Sequence, residues 1–250
     1  MTIALITGGS RGLGRAVALH LARHDVDCII TYQTQKAAAD AVAAEIAAQG
    51  RRAAVLPLDV TQPESFAAFA GAVKTMLARD WGRADFDFLV NNAGMGLHKP
   101  IAETTMAEFD LMFAAHLKGP FFLTQALLPL IRDGGRIVNF SSGLTRFAYP
   151  GYGAYAVMKG GLEVLTRYLA KELGDRRIAV NTIAPGAIET DFGGGVVRDN
   201  AGLNTMIASQ TALGRVGLPD DIGGAVAMLL SAESGWVNGQ RIEVSGGIHL

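Results

Sequence analysis

Residues 3–23 read IALITGGSRGLGRAVALHLAR. A short run of branched apolar residues ends at Thr7. Glycines follow at 8, 12 and 14, and apolar residues then recur at helical spacing. That order is strand, tight loop, helix. Such a loop lets the main chain approach a phosphate closely, and the helix behind it aims its positive N-terminal end at the same point. The spacing is Gly-x-x-x-Gly-x-Gly, not the G-x-G-x-x-G of many dehydrogenases.

The same rhythm continues outward from this unit. Strands are expected at Ile3–Thr7, Asp27–Tyr32, Ala53–Pro57, Phe86–Asn91, Arg136–Ser141, Ile178–Ala184 and Arg241–Val244. Their apolar runs are continuous rather than alternating, which marks strands buried on both faces. Helices are expected over 12–24, 36–49, 62–79, 106–131, 153–173 and 219–231. Alternating β and α elements predict right-handed crossovers and a doubly wound, mostly parallel seven-stranded α/β sheet of the Rossmann kind, with helices on both faces. No linker or repeat divides residues 1–250, so one domain is expected. Residues 186–214 break the rhythm and contain Gly193-Gly194-Gly195. A loop of that length in a compact domain is read as a lid or substrate loop.

Composition limits the partners. The chain has 250 residues, is half hydrophobic and carries a formal net charge of -1. No basic face is available for nucleic acid or an anionic membrane. The lone Cys28 lies in an apolar run and reads as a small buried hydrophobe. Met1 leads directly into TIALIT without a signal-peptide pattern, and no apolar run has membrane-spanning length. A soluble, cytoplasmic protein is expected. His98 and His116 share no ligand spacing with acids or the cysteine, so no metal is expected.

Four further segments are LDVT at 58–61, NNAG at 91–94, Ser142 followed by Tyr155-x-x-x-Lys159, and APGAIET at 184–190. With the glycine loop and the ending GRVGLPDDIG…NGQRIEVSGG, the chain resembles the short-chain dehydrogenase/reductase family over essentially its whole length. The resemblance implies an NAD(P)-dependent oxidoreductase. Gly8, Ser10, Arg11, Gly12, Leu13 and Gly14 would hold the phosphates, and Tyr32 and Gln33 would face the adenosine ribose. Asp59 would bond the adenine amino group, with Val60 beside it. Asn91 would tie the sheet together beside Ala93 and Gly94. Pro185 and Gly186 would shape the nicotinamide pocket, and Ile188 and Thr190 would meet the carboxamide.

NAD-preferring relatives place an acid after the second strand, where it bonds the ribose 2′-hydroxyl. Here the place reads Thr31-Tyr32-Gln33-Thr34. Arg11 and Lys36 are nearby, and a missing acid with two cations favours the 2′-phosphate of NADP(H) over NAD(H).

Tyr-x-x-x-Lys occurs twice, at Tyr32/Lys36 and Tyr155/Lys159. Only the second pair opens a long helix behind a strand ending in Ser141-Ser142. Residues four apart share a helix face. Hydride reduction of a carbonyl leaves charge on oxygen, so an acid must deliver a proton. Tyr155 is the expected donor, Lys159 the cation that favours its phenolate, and Ser142 the hydroxyl that holds the substrate oxygen. Leu97, Phe147, Tyr149, Tyr152, Phe192 and Met206 are candidate pocket residues or loop packing.

His116 stands where relatives carry asparagine, the fourth catalytic member by resemblance. Pro120 has no N–H and cannot bond the carbonyl of His116, and Gly119 loosens the turn. The expectation is a free carbonyl holding a relay water, with the imidazole filling the space of the asparagine. A packed histidine in a kinked helix and an imidazole that itself carries protons are the alternatives.

The leading function is an NADP(H)-dependent reductase of a small carbonyl, or the reverse alcohol dehydrogenase. A 3-oxoacyl carrier-protein reductase is the second reading, with Arg132, Arg136 and Arg176 as candidate carrier contacts. A dinucleotide-binding redox sensor is the third, disfavoured because Ser142, Tyr155 and Lys159 are all present. Helices 106–131 and 153–173 resemble those that build homodimers and homotetramers in the family, unless Phe109, Phe113, Leu165 and Leu169 face the sheet.

Overall fold

The computed structural model describes residues 1–250. Seven strands form one sheet: β1 Thr2–Ile6, β2 Val26–Tyr32, β3 Ala53–Pro57, β4 Phe86–Asn91, β5 Ile131–Phe140, β6 Ala179–Pro185 and β7 Arg241–Val244. Their order is β3-β2-β1-β4-β5-β6-β7, and every pair is parallel. The chain leaves β1 in one direction and returns to its other side with β4. The crevice at that reversal is where doubly wound sheets bind ligands.

Period-two side-chain alternation builds two cores. Ala4 and Ile6 of β1 point to one face, under α1 Gly12–Arg23, α2 Lys36–Ala48 and α9 Pro219–Leu230. Ile3 and Leu5 point to the other, under α3 Phe66–Met76, α5 Gly119–Leu127 and the end of α6 Gly153–Glu172. Cys28 of β2 is fully buried in the first core, where burial and then the charge of Asp27 push its thiol pKa strongly upward. Two buried carboxylates pin the end of the sheet remote from the glycine loop. Asp87 accepts from the Ile3 amide at 2.8 Å and from Arg83 at 2.8 Å, and Asp27 accepts from the Trp81 indole at 2.7 Å.

Three expectations change. Strand β5 starts at Ile131, five residues early, because 132–135 bulge out opposite β4 between the Phe86 and Phe88 pairings. The helix expected over 106–131 is α4 Met106–Phe113, a π-helical turn at Ala114–Lys118, then α5. The widening therefore begins ahead of Pro120, which follows it as the second residue of α5. Gly119 has a second reason to be glycine. A Cβ there would lie 2.3 Å from the Val60 carbonyl, so it is a close-packing position. Finally, 186–214 is not a bare loop. It carries α7 Val196–Asp199 and α8 Ala201–Ser209.

Candidate active site

The site forms at the C-terminal ends of β1, β4, β5 and β6. The Gly8 amide donates to the Thr31 hydroxyl at 3.2 Å and the Gly9 amide to the Thr31 carbonyl at 2.9 Å, which curls the loop over the tip of β2. A Cβ on Gly14 would sit 2.3 Å from the Gly8 carbonyl, so only glycine lets α1 start this close to β1. Arg11 is exposed at the N-cap of α1 and makes no capping bond, so the first amides of that helix face the crevice. Ser10 and Leu13 flank it. Thr190 lies across the loop from Gly12, 3.8 Å from where a Cβ would project. Gly186 packs on Ser245, and Ile188 packs on the first core and bridges Gly217.

The adenosine end is more self-contained than the sequence suggests. Gln33 donates to Asp59 at 2.9 Å, and Thr61 donates to the same carboxylate through its amide and hydroxyl. Burial raises the Asp59 pKa, but these bonds outweigh it and hold the group below its usual range. Tyr32 ends β2, half-buried, and Val60 follows Asp59. The Lys36 ammonium pairs with Asp40 at 2.8 Å on the exposed surface of α2, a weak pair from which a phosphate could draw it.

A buried polar chain crosses the sheet below the crevice. Asn91 donates to Asn139 at 2.8 Å and to Thr124 at 3.1 Å, and Asn139 donates to Thr166 at 2.9 Å. The Asn91 Oδ1 is buried and has no partner. The glycine cradle, the open N-terminus of α1 and this orphaned acceptor fit a dinucleotide laid along the strand ends. Ala93 and Gly94 continue the rim from β4.

Helix α6 brings the reactive groups in. Tyr155 and Lys159 are four residues apart and both are buried. The Lys159 ammonium donates to the Phe140 carbonyl at 2.6 Å and stands 5.5 Å from the Tyr155 ring centroid. Burial lowers its pKa to about 7. The Tyr155 pKa is driven upward by burial, partly offset by the Ser142 hydroxyl. Desolvation is the largest influence on this phenol. The Ser142 hydroxyl also accepts the Leu144 amide at 3.2 Å.

His116 lies inside the π turn and is 1 % exposed. Its Nε2–H donates to the Met95 carbonyl at 2.7 Å, and Nδ1 is buried without a partner. Burial and then the charge of Lys159 lower its pKa to about 3. The imidazole is neutral near neutrality. A Cβ on Gly94 would fall 2.5 Å from the imidazole Cε1, so glycine there admits the ring.

The pocket candidates divide. Met95, Leu97 and Leu144 pack on the Tyr155 cluster, Phe192 faces Tyr155 at 5.9 Å, and Tyr152 stacks on His98 at 4.8 Å. Phe147 and Tyr149 instead pack on His249, at 4.7 and 5.6 Å. Met206 is exposed on α8. Arg132, Arg136 and Arg176 are engaged away from the site: with Asp87, with Ser234 and with Asp133. The sequence reading missed Glu163, four residues beyond Lys159, which accepts from Ser141 at 2.6 Å and from Arg241 at 2.8 Å. The 155/159/163 spacing was the available signal.

A parallel doubly wound sheet with a glycine cradle at its switch point and a buried Tyr-Lys pair beside a serine defines a dinucleotide-dependent oxidoreductase. The family model described as enoyl-(acyl carrier protein) reductase matches residues 8–249. The chain belongs to the short-chain dehydrogenase/reductase family. Tetrahydroxynaphthalene reductase PfmaG of Pestalotiopsis fici is 36% identical over 257 residues, covering 98% of this chain and 90% of that protein. The angucycline C-6 ketoreductase LanV, solved with bound NADP, superposes with a TM-score of 0.94 at 36% identity, covering 99% of this chain and 95% of that one. The promiscuous reductase LugOII, which catalyses keto-reduction at C1 during lugdunomycin biosynthesis, gives 0.93 at 36% identity, covering 98% and 96%. No helix is long and apolar enough to cross a membrane.

Proposed function

We propose that this chain is an NADPH-dependent ketoreductase of ring-fused aromatic ketones, with Tyr155 as the proton donor. The observation that carries the reading is the buried Tyr155, four residues before Lys159 on α6 and walled by Met95, Leu97, Leu144 and Phe192. Apolar and aromatic walls around one polar point suit a flat ring system with a single reacting carbonyl. The ring-fused substrates in the names of PfmaG and LanV, and the NADP bound to LanV, support the choice of substrate and cofactor.

The bound reduced nicotinamide supplies a hydride to the carbonyl carbon. Ser142 donates a hydrogen bond to the carbonyl oxygen and fixes its position. Tyr155, fully protonated at neutral pH, transfers its proton to that oxygen as charge develops there. Lys159, desolvated below the ring, stabilises the phenolate that remains. The product is the secondary alcohol, and the reverse sequence oxidises it. Arg11 contacts the 2′-phosphate, and 186–214 closes over the substrate through Phe192. Outward-facing Phe109, Phe113, Val157 and Tyr168 on α4 and α6 serve a homo-oligomer interface.

The test is NADPH oxidation by purified protein with 2-tetralone, a hydroxylated naphthalenone, an aliphatic ketone and a 3-oxoacyl thioester. Turnover of the bicyclic ketones above the other two is expected. Preference for the thioester would overturn the substrate class, and binding of NADPH with no turnover of any ketone would overturn the enzyme reading.

A further inference from the structure

Between Ser142 and the C-terminal strand lies a chain of alternating charges: Glu163, Arg241, Glu243 and Arg146. Glu163 Oε1 accepts from the Ser141 hydroxyl at 2.6 Å, the Thr145 hydroxyl at 2.7 Å and Arg241 Nε at 2.8 Å. A second arm of Arg241 donates to the Ser142 carbonyl at 3.2 Å, and a third to Glu243 at 3.0 Å. Arg146 grips Glu243 with two bonds of 2.6 and 2.7 Å, and its remaining donors reach the carbonyls of Ile248 and His249. Glu163 and Arg241 are largely buried, at 14% and 23% side-chain exposure, so the pair is weakly screened by solvent.

We propose that Glu163 and Arg241 are positioning residues that aim the Ser142 hydroxyl at the substrate oxygen. The inference rests on the reading of Ser142, Tyr155 and Lys159 given above. Glu163 follows Lys159 by four residues on α6, so one helix face carries both the reacting tyrosine and the carboxylate that fixes the serine's loop. A guanidinium is the group that can serve Glu163 and the Ser142 carbonyl at once, because its donors are held in a rigid fork. With its carbonyl pinned, the Ser142 peptide plane is fixed and so is the direction of its Cβ. Two acids and two arginines cancel in net charge.

The experiment compares Glu163→Gln, Arg241→Lys, Ser142→Ala and the double variant Ser142→Ala/Glu163→Gln in NADPH-dependent reduction of 2-tetralone. Misplacing the serine by a fraction of an ångström to an ångström is expected to lower kcat by about 10- to 100-fold, with NADPH binding unchanged. Because the effect runs through Ser142, Glu163→Gln is expected to cost less than about twofold more on the Ser142→Ala background. Arg241→Lys keeps the charge but replaces the three-nitrogen fork with a single ammonium, and it carries the same tests if Glu163→Gln fails to fold. Unchanged kcat in these variants, or losses that multiply with Ser142→Ala, would overturn the proposal. Full activity in Tyr155→Phe would instead overturn the site reading beneath it.

Discussion

The imidazole of His116 stands edge-on to the ring of Tyr155, with centroids 5.0 Å apart and planes 84° apart. The same imidazole donates to the main chain of Met95, so one neutral ring fastens the rim after β4 to the reactive tyrosine. It is a wedge between two parts of the site, fixed in one tautomer by its carbonyl partner.

Replacing the phenol oxygen tests the proton donor directly. Tyr155→Phe is expected to lower kcat for ketone reduction by roughly 10²–10⁴-fold, the range of general acid catalysis. NADPH binding, followed by fluorescence titration, should be retained. A variant that reduces ketones at the parent rate would remove Tyr155 from the chemistry.

Lys159 gives the site a pH dependence. Its pKa is lowered to about 7 by burial, so below that pH it is charged and able to stabilise the phenolate. As pH rises through about 7 the charge is lost, and kcat/KM for reduction is expected to fall, since this ratio reports the free enzyme's groups. Lys159→Arg, permanently charged, should lose that inflection. A profile flat from pH 6 to 9 in the parent protein would contradict the assignment.

His116 makes the fold acid-sensitive. Its folded pKa of about 3 lies below the ordinary 6.5, so between those values the unfolded chain binds a proton that the native state does not. Stability from this group is complete above 6.5 and is lost as pH falls toward 3. His116→Asn should flatten that part of the curve in urea unfolding at pH 7, 5.5 and 4.5. Equal slopes in both proteins would show that the ring titrates freely.

Dinucleotide choice can be tested at Arg11. Arg11→Ala is expected to raise the KM for NADPH by about tenfold, equivalent to one charge-assisted bond of ~1.4 kcal/mol. The KM for NADH should change little. Equal effects on both cofactors would place Arg11 on the shared diphosphate.

The glycine spacing and the apolar runs carried the layer order and every strand's approximate place, because sheet burial and loop geometry are written in local residue types. Tyr155 and Lys159 were equally legible, being four apart on one helix. The Lys36–Asp40 pair was visible at i,i+4 spacing, yet its competition with a phosphate depends on which way Lys36 turns. The π turn around His116 was not visible, since Gly119 and Pro120 mimic a kink while the widening begins at Ala114. Arg241 and Ser142 are 99 residues apart in sequence, and only the strand order brings them together.

The single thiol provides a natural clock for the molecule's cohesion. Cys28 lies in the sheet's interior, reactive only as thiolate and kept from that form by its surroundings. A maleimide or disulfide reagent can reach it only when the core between α1 and the sheet opens. Its labelling rate therefore counts openings of that core, one site per chain, without any engineered probe. The same seclusion keeps the thiol from oxidants and alkylating agents for as long as that core stays shut.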